Sequence, residues 1–179
     1  LERNTLLAES ACKTVFTYFD TLLRQLEVLK PVSKVRYVLD RRTSFDQLPL
    51  TGMKVDARRK KLRGNDVYDH IALHARLRNG QKLALVKDFL PDIEQIESRI
   101  RQSGAPVHSQ AVRNPDNGKL QEMRYELAVD FVLGVHVTPE HDRGRLHFKF
   151  VNFDGFETVT AEFSALEVGS TRLDELARW

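Results

Sequence analysis

From residue 5 to residue 30 apolar side chains return every three or four positions: Ala8, Cys12, Val15, Phe19, Leu22, Leu26 and Leu29. That spacing puts them on one face of an α-helix. Glu9, Lys13, Thr17, Asp20, Arg24 and Glu27 fill the other face, with Glu9–Lys13 and Asp20–Arg24 as i,i+4 pairs, and Pro31 ends the run. Ala11, Phe16 and Leu23 widen the stripe beyond a coiled-coil seam, which suits packing across a sheet. The same spacing also suits a share in a dimer interface, so residues 1–31 are expected to double as an interaction arm.

Period-two alternation takes over after the proline. Val35, Tyr37 and Leu39 predict a strand over 34–40. Residues 41–66 are polar, basic and poorly periodic, and read as a loop or an edge strand. Val67–Leu77 and Lys82–Lys87 read as a hairpin about Asn79-Gly80, with a three-residue bulged turn that sets Leu77 against Leu83. A helix follows over 90–103: Asp88 is its expected cap, Pro91 lies in the first turn, Ile93, Ile96 and Ile100 form its stripe, and Gly104 terminates it. Residues 105–113 read as a strand that turns at Pro115–Gly118.

The clearest β pattern lies beyond. Met123, Tyr125, Leu127, Val129, Phe131, Leu133, Val135 and Val137 alternate without a break, as one very long strand or two bent near Gly134. A loop is expected around Pro139–Gly144, then Leu146, Phe148 and Phe150 alternate. Asp154-Gly155 turns the chain into Val159, Ala161 and Phe163, and Ser170 or Thr171 caps a last helix. The expected architecture is therefore α+β, with a long amphipathic N-terminal helix and shorter helices packed on a mainly antiparallel sheet that ends in a β-meander. No repeat or linker divides the chain, so residues 1–179 read as one domain.

Registering the meander generates a candidate for chemistry. The Asp154-Gly155 turn sets Phe150 opposite Val159 and Phe148 opposite Ala161. Matching apolar faces across the preceding loop sets Val135 opposite Phe148. On the reverse face His136, His147 and Glu162 then fall in one row, with strands about 4.8 Å apart. Two imidazoles and a carboxylate are ligands that zinc or ferrous iron accepts, which makes a divalent metal the one cofactor the pattern suggests. His70 and His74 also share a face, but lie four residues apart on an extended chain, about 13 Å, too far to share an ion without a bend.

Composition alters this picture in one place. The chain carries a net charge of only +3, whereas Lys54, Arg58, Arg59, Lys60, Lys61 and Arg63 stand against the single acid Asp56 between residues 54 and 63. A local positive segment of this kind is the footprint expected of a nucleic-acid or polyanion contact, though it holds no aromatic residue to stack on bases. The single cysteine excludes an intramolecular disulfide and a cysteine zinc cage. Its place on the helix stripe marks Cys12 as a small buried hydrophobe, consistent with a reducing cytoplasm. No apolar run approaches the ~20 residues of a membrane helix.

No phosphate-binding GxxxxGK[ST] loop, GxGxxG, HExxH or GxSxG elbow is present. The leading expectation is a non-enzymatic, cytoplasmic protein-binding or assembly module that meets a protein partner, or a second copy of itself, through the 5–30 helix. Two alternatives stand beside it. One is a nucleic-acid-binding accessory protein using residues 54–63; the other is a small enzyme or ligand-binding roll with a metal at His136, His147 and Glu162.

Overall fold

The computed structural model describes residues 2–169 and 173–174. Helix α1 (Glu2–Leu29) is followed by a two-stranded ribbon, β1 (Tyr37–Val38) and β2 (Ser44–Phe45). Then come β3 (Leu50–Leu62), β4 (Asn65–Lys87), α2 (Leu90–Ser103), β5 (Val107–Arg113), β6 (Leu120–Glu140), β7 (Arg145–Val151) and β8 (Thr158–Ser164), closed by a 3-10 turn at Ala165–Glu167. All strands of the main sheet pair antiparallel, in the order β3-β4-β6-β7-β8, with β5 also on β6. The protein is α+β, and no helix among the described residues is long and apolar enough to cross a membrane.

The two longest strands organise everything else. Along β6, Tyr125, Leu127, Val129, Phe131, Val135 and Val137 are all buried, the alternation of a strand with one face in a core. Both helices cover that face. Under α1 a core gathers Cys12, Val15, Phe19, Ile71, Val137 and Phe148; beside α2 a second gathers Leu77, Ile96, Ile100, Leu127 and Phe131. The opposite face of the sheet carries His74, Arg76, Asp130, His136 and Lys149.

Several sequence expectations need correction. Asn79-Gly80 does not reverse the chain. Strand β4 runs straight through it, and Lys82–Lys87 pair with Met123–Ala128 of β6 instead of with Val67–Leu77. Residues 79–81 form a bulge opposite Val129, in which Asn79 Oδ1 accepts from the Gln81 amide at 2.9 Å. The reversal comes earlier, at Arg63-Gly64, both with positive φ (50° and 82°). It pairs the basic segment with β4 as a thirteen-residue edge strand. The strand expected over 34–40 shrinks to Tyr37–Val38.

The N-cap of helix α2 is Phe89, with no side-chain hydrogen bond, so Asp88 does not hold the role expected of it. Gly104 does end the helix, at φ +67°. The expected cap at Ser170 or Thr171 lies outside the described residues. The β7–β8 register is the expected one, Phe150 against Val159 and Leu146 against Phe163. The β6–β7 register is not: Val135 faces Phe150 and Val137 faces Phe148, two residues from expectation. Strand pairing continues through Pro139 and Glu140, and the turn tightens to His141–Gly144.

Candidate functional site

Helix α1 packs closely only along its first two thirds. Ala8, Ala11, Cys12, Val15 and Phe19 are buried, Leu22, Leu23 and Leu26 are half-buried, and Val28 and Leu29 are 82% and 73% exposed. Glu9 anchors the close-packed end: its carboxylate accepts from the Tyr68 amide at 3.0 Å and lies 3.1 Å from the buried His141 ring. Arg59 stands over the Tyr68 ring at 4.2 Å and reaches Glu9 at 4.0 Å.

Where the helix lifts away, a cavity of about 460 Å³ remains between it, the Pro31–Val35 linker and the sheet. Its floor is Leu73, Ala75 and Leu77 of β4, Leu133 and Val135 of β6, and Phe148 and Phe150 of β7. The space is half open to solvent and walled mainly by apolar side chains, the form a small-molecule site commonly takes. Most of its polar rim is engaged, the exposed Lys34 excepted. The Tyr18 hydroxyl donates to Asp174 at 2.6 Å, and burial together with that bond pushes it up to about 12. Ser33 Oγ accepts from the Leu48 amide at 3.0 Å. Among the described residues no nucleophile–base pair lines the space. Cys12 is buried, and burial followed by the Glu9 charge pushes its thiol up to about 12, so it is an inert thiol.

The reverse face of the sheet carries the titratable groups. The corrected register separates the row His136, His147 and Glu162. His147 and Glu162 remain partners, with Nδ1 4.0 Å from the carboxylate, but His136 faces Lys149. Thr138 takes its place opposite His147, and Glu140, two residues along β6, brings its Oε2 within 2.8 Å of His147 Nε2. The ligand atoms of Glu140, His147 and Glu162 all lie within 4.8 Å of one another, close enough to hold an ion. Two guanidinium groups compete for them: Arg145 bonds Glu162, and Arg143 lies 3.3 Å from Glu140 and 3.6 Å from Glu162. The bond from His147 and the charge of Arg143 hold the Glu140 carboxyl below its ordinary value. Two carboxylates against two guanidiniums make a closed surface network.

His136 joins a different group. Its Cα partner on β4 is Ala72, which places it between His70 and His74. The His74 and His136 rings meet edge to face with centroids 5.2 Å apart, and His70 lies 6.5 Å away on the other side. Burial, then the charges of His74, Lys149 and His70, pull the His136 pKa down, favouring the neutral imidazole. The sequence showed His70 and His74 on one face, but only the β4–β6 pairing, hidden by the misread hairpin, brings the third ring between them.

The basic segment is brought together as a strand, and five of its six cations have carboxylate neighbours. Lys54 pairs with Asp56 (3.5 Å), Arg59 with Glu9 (4.0 Å), Lys60 with Asp69 (3.8 Å), Lys61 with Asp66 (2.9 Å) and Arg63 with Asp142 (2.8 Å). Arg58 has no carboxylate partner among the described residues. Four of these five acids lie outside residues 54–63, so a count along the segment overstates its field.

No family model, no curated protein and no solved structure matches this chain.

Proposed function

We propose that the protein is a binding module for an apolar small molecule, held between the C-terminal third of α1 and the sheet. The observation that carries this reading is the cavity of about 460 Å³ with its aliphatic and aromatic floor. Ligand sites commonly measure about 300–1,000 Å³, are lined mainly by apolar groups and sit between packed elements. The half-buried Leu22 and Leu26 form its helix wall, and the exposed Val28, Leu29 and Val32 give an apolar approach. Binding, not catalysis, suits a rim on which the Tyr18 and Ser33 hydroxyls already hydrogen-bond within the protein.

This reading belongs to the ligand-binding alternative that the sequence raised. It assigns the 5–30 helix to a ligand rather than to a protein partner. It also draws weight from the basic strand, where five cations already have carboxylate neighbours.

The test is titration with a solvatochromic apolar dye, in wild type and in Ala75→Phe, whose ring would fill the cavity from its floor. Saturable binding at one site per chain, lost in a variant that keeps its far-UV dichroism, is the expected result. Equal binding by both proteins, or none by wild type, overturns the reading.

A further inference from the structure

Among the described residues a single charged side chain lines the cavity under α1, that of Lys34 in the linker after the helix. No carboxylate among them lines it, and the Tyr18 and Ser33 hydroxyls are spent within the protein. Lys34 is exposed and has no carboxylate partner among the described residues, whereas Arg36, two residues on, is held by Asp46 at 3.1 Å. A lysine stem can lie along an apolar wall while its ammonium stays in water at the mouth.

The polar groups of the rim sit at opposite ends. Val32 bridges Pro49, the Leu50 amide donates to the Pro31 carbonyl, and Leu50 pairs with Leu77. The linker therefore closes the Leu77 end of the floor. Tyr18, with Asp174 bonded to its hydroxyl, lies about 16 Å back along the helix axis from Leu29. Between the two ends the floor runs from Leu73 to Leu77, about 13 Å of strand. A cation at one end and an acid at the other give the space a direction: an anionic group is drawn towards Lys34 and repelled from Asp174. Glu27 and the last carbonyls of α1 oppose an anion at the Lys34 end, and Lys30, the residue after the helix, offsets them.

We propose that the occupant of the cavity is a single-chain amphiphile with a carboxylate head, of the fatty-acid class, its chain along the floor and its head at Lys34. This ligand class rests on the binding reading proposed above. Each methylene laid on the floor should tighten binding about fourfold, so octanoate, decanoate and dodecanoate should form a rising series until the cavity is filled. The head contributes less, because an exposed ion pair is screened by water and salt. An alkylammonium with its head turned to Asp174 is the rival, but that carboxylate already accepts from Tyr18.

The experiment is a calorimetric titration of wild type, Lys34→Met and Ala75→Phe with decanoate, decanol and decylamine below their micellar concentrations, with far-UV dichroism to confirm folding. Wild type is expected to take one decanoate per chain. Lys34→Met should weaken decanoate about threefold, within the range of an exposed ion pair, leave decanol unchanged and tighten decylamine. Ala75→Phe should abolish binding of all three. Decanoate and decanol affected alike by Lys34→Met overturns the carboxylate assignment and leaves the cavity reading standing. Decylamine binding more tightly than decanoate in wild type overturns it too, and places the head at Asp174. Decanoate binding that survives Ala75→Phe lies outside the cavity and overturns the proposal, and failure of wild type to bind any of the three overturns both readings.

Discussion

Asn152 ties more of this protein together than any side chain that periodicity selects. It is fully buried at φ +64° in the turn between β7 and β8. Its Nδ2 donates to the carbonyls of Gln102 (3.0 Å) and Val132 (2.8 Å), while Oδ1 accepts from Gln102 Nε2 at 3.0 Å. Its own carbonyl accepts from the buried Tyr37 hydroxyl at 2.6 Å. The side chain thus joins the end of α2 to the stretch of β6 that neither β5 nor β7 covers. Asn152→Ala leaves two carbonyls without a partner and is expected to cost about 2–4 kcal/mol in urea denaturation. A loss below about 1 kcal/mol would show that water replaces the amide. Asp130 makes a second residue-scale case. Burial pushes its carboxyl up, but bonds from Arg76 Nε (2.7 Å) and Arg78 Nη2 (2.9 Å) outweigh burial and hold it below the ordinary 3.8. A carboxylate lowered in the folded state stabilises in full above its unfolded pKa, and that contribution disappears as pH falls through the folded value. Asp130→Asn should therefore cost about 1–3 kcal/mol at pH 7 and progressively less below about pH 4. A gap between variant and wild type that stays constant down to pH 2 would contradict the assignment.

At the scale of elements, what was legible followed from local periodicity, and what was not followed from competition between partners. Helix α2 runs from Leu90 to Ser103 as its isoleucine stripe and terminal glycine imply. Strand β8 keeps the register that Asp154-Gly155 dictates. Asn79-Gly80 carries an equally strong turn signal, yet β6 offers Lys82–Lys87 a continuous ladder from Met123 to Ala128, and the turn residues become a bulge. The β6–β7 register slipped for a related reason: Pro139 reads as a strand breaker but pairs with Leu146 near the end of β6. That two-residue shift exchanged His136 for Thr138 opposite His147 and brought Glu140 within reach of the ring, and so moved the candidate site. Gly104 was foreseen as a helix stop, but a second constraint on it was not. A Cβ there would lie 2.7 Å from Val132 Cγ1. Gly104→Ala combines a positive φ with that overlap and should cost about 2 kcal/mol or more. Adding Val132→Ala should restore part of the loss beyond its own effect. Strict additivity of the two substitutions would show that backbone strain alone is responsible.

For the whole molecule the consequence is a sheet with two unlike faces, an apolar cavity under α1 and an imidazole group on the reverse. Strand β4 serves both, because Leu73 and Ala75 floor the cavity while His74, between them, points the other way. Composition could not show this division, since it depends on which strands pair. A ligand that binds only the folded state stabilises it by about 2.7 kcal/mol at a hundred times its Kd. The apolar dye should raise the urea midpoint to the extent its affinity dictates. Ala75→Phe should abolish that increment, and His136→Ala, on the opposite face, should leave it intact. Without dye, the stability effects of the two substitutions should add within about 0.3–0.5 kcal/mol, the tolerance for sites that share no side chains. A coupling above about 1 kcal/mol would mean that β4 carries a change on one face to the other.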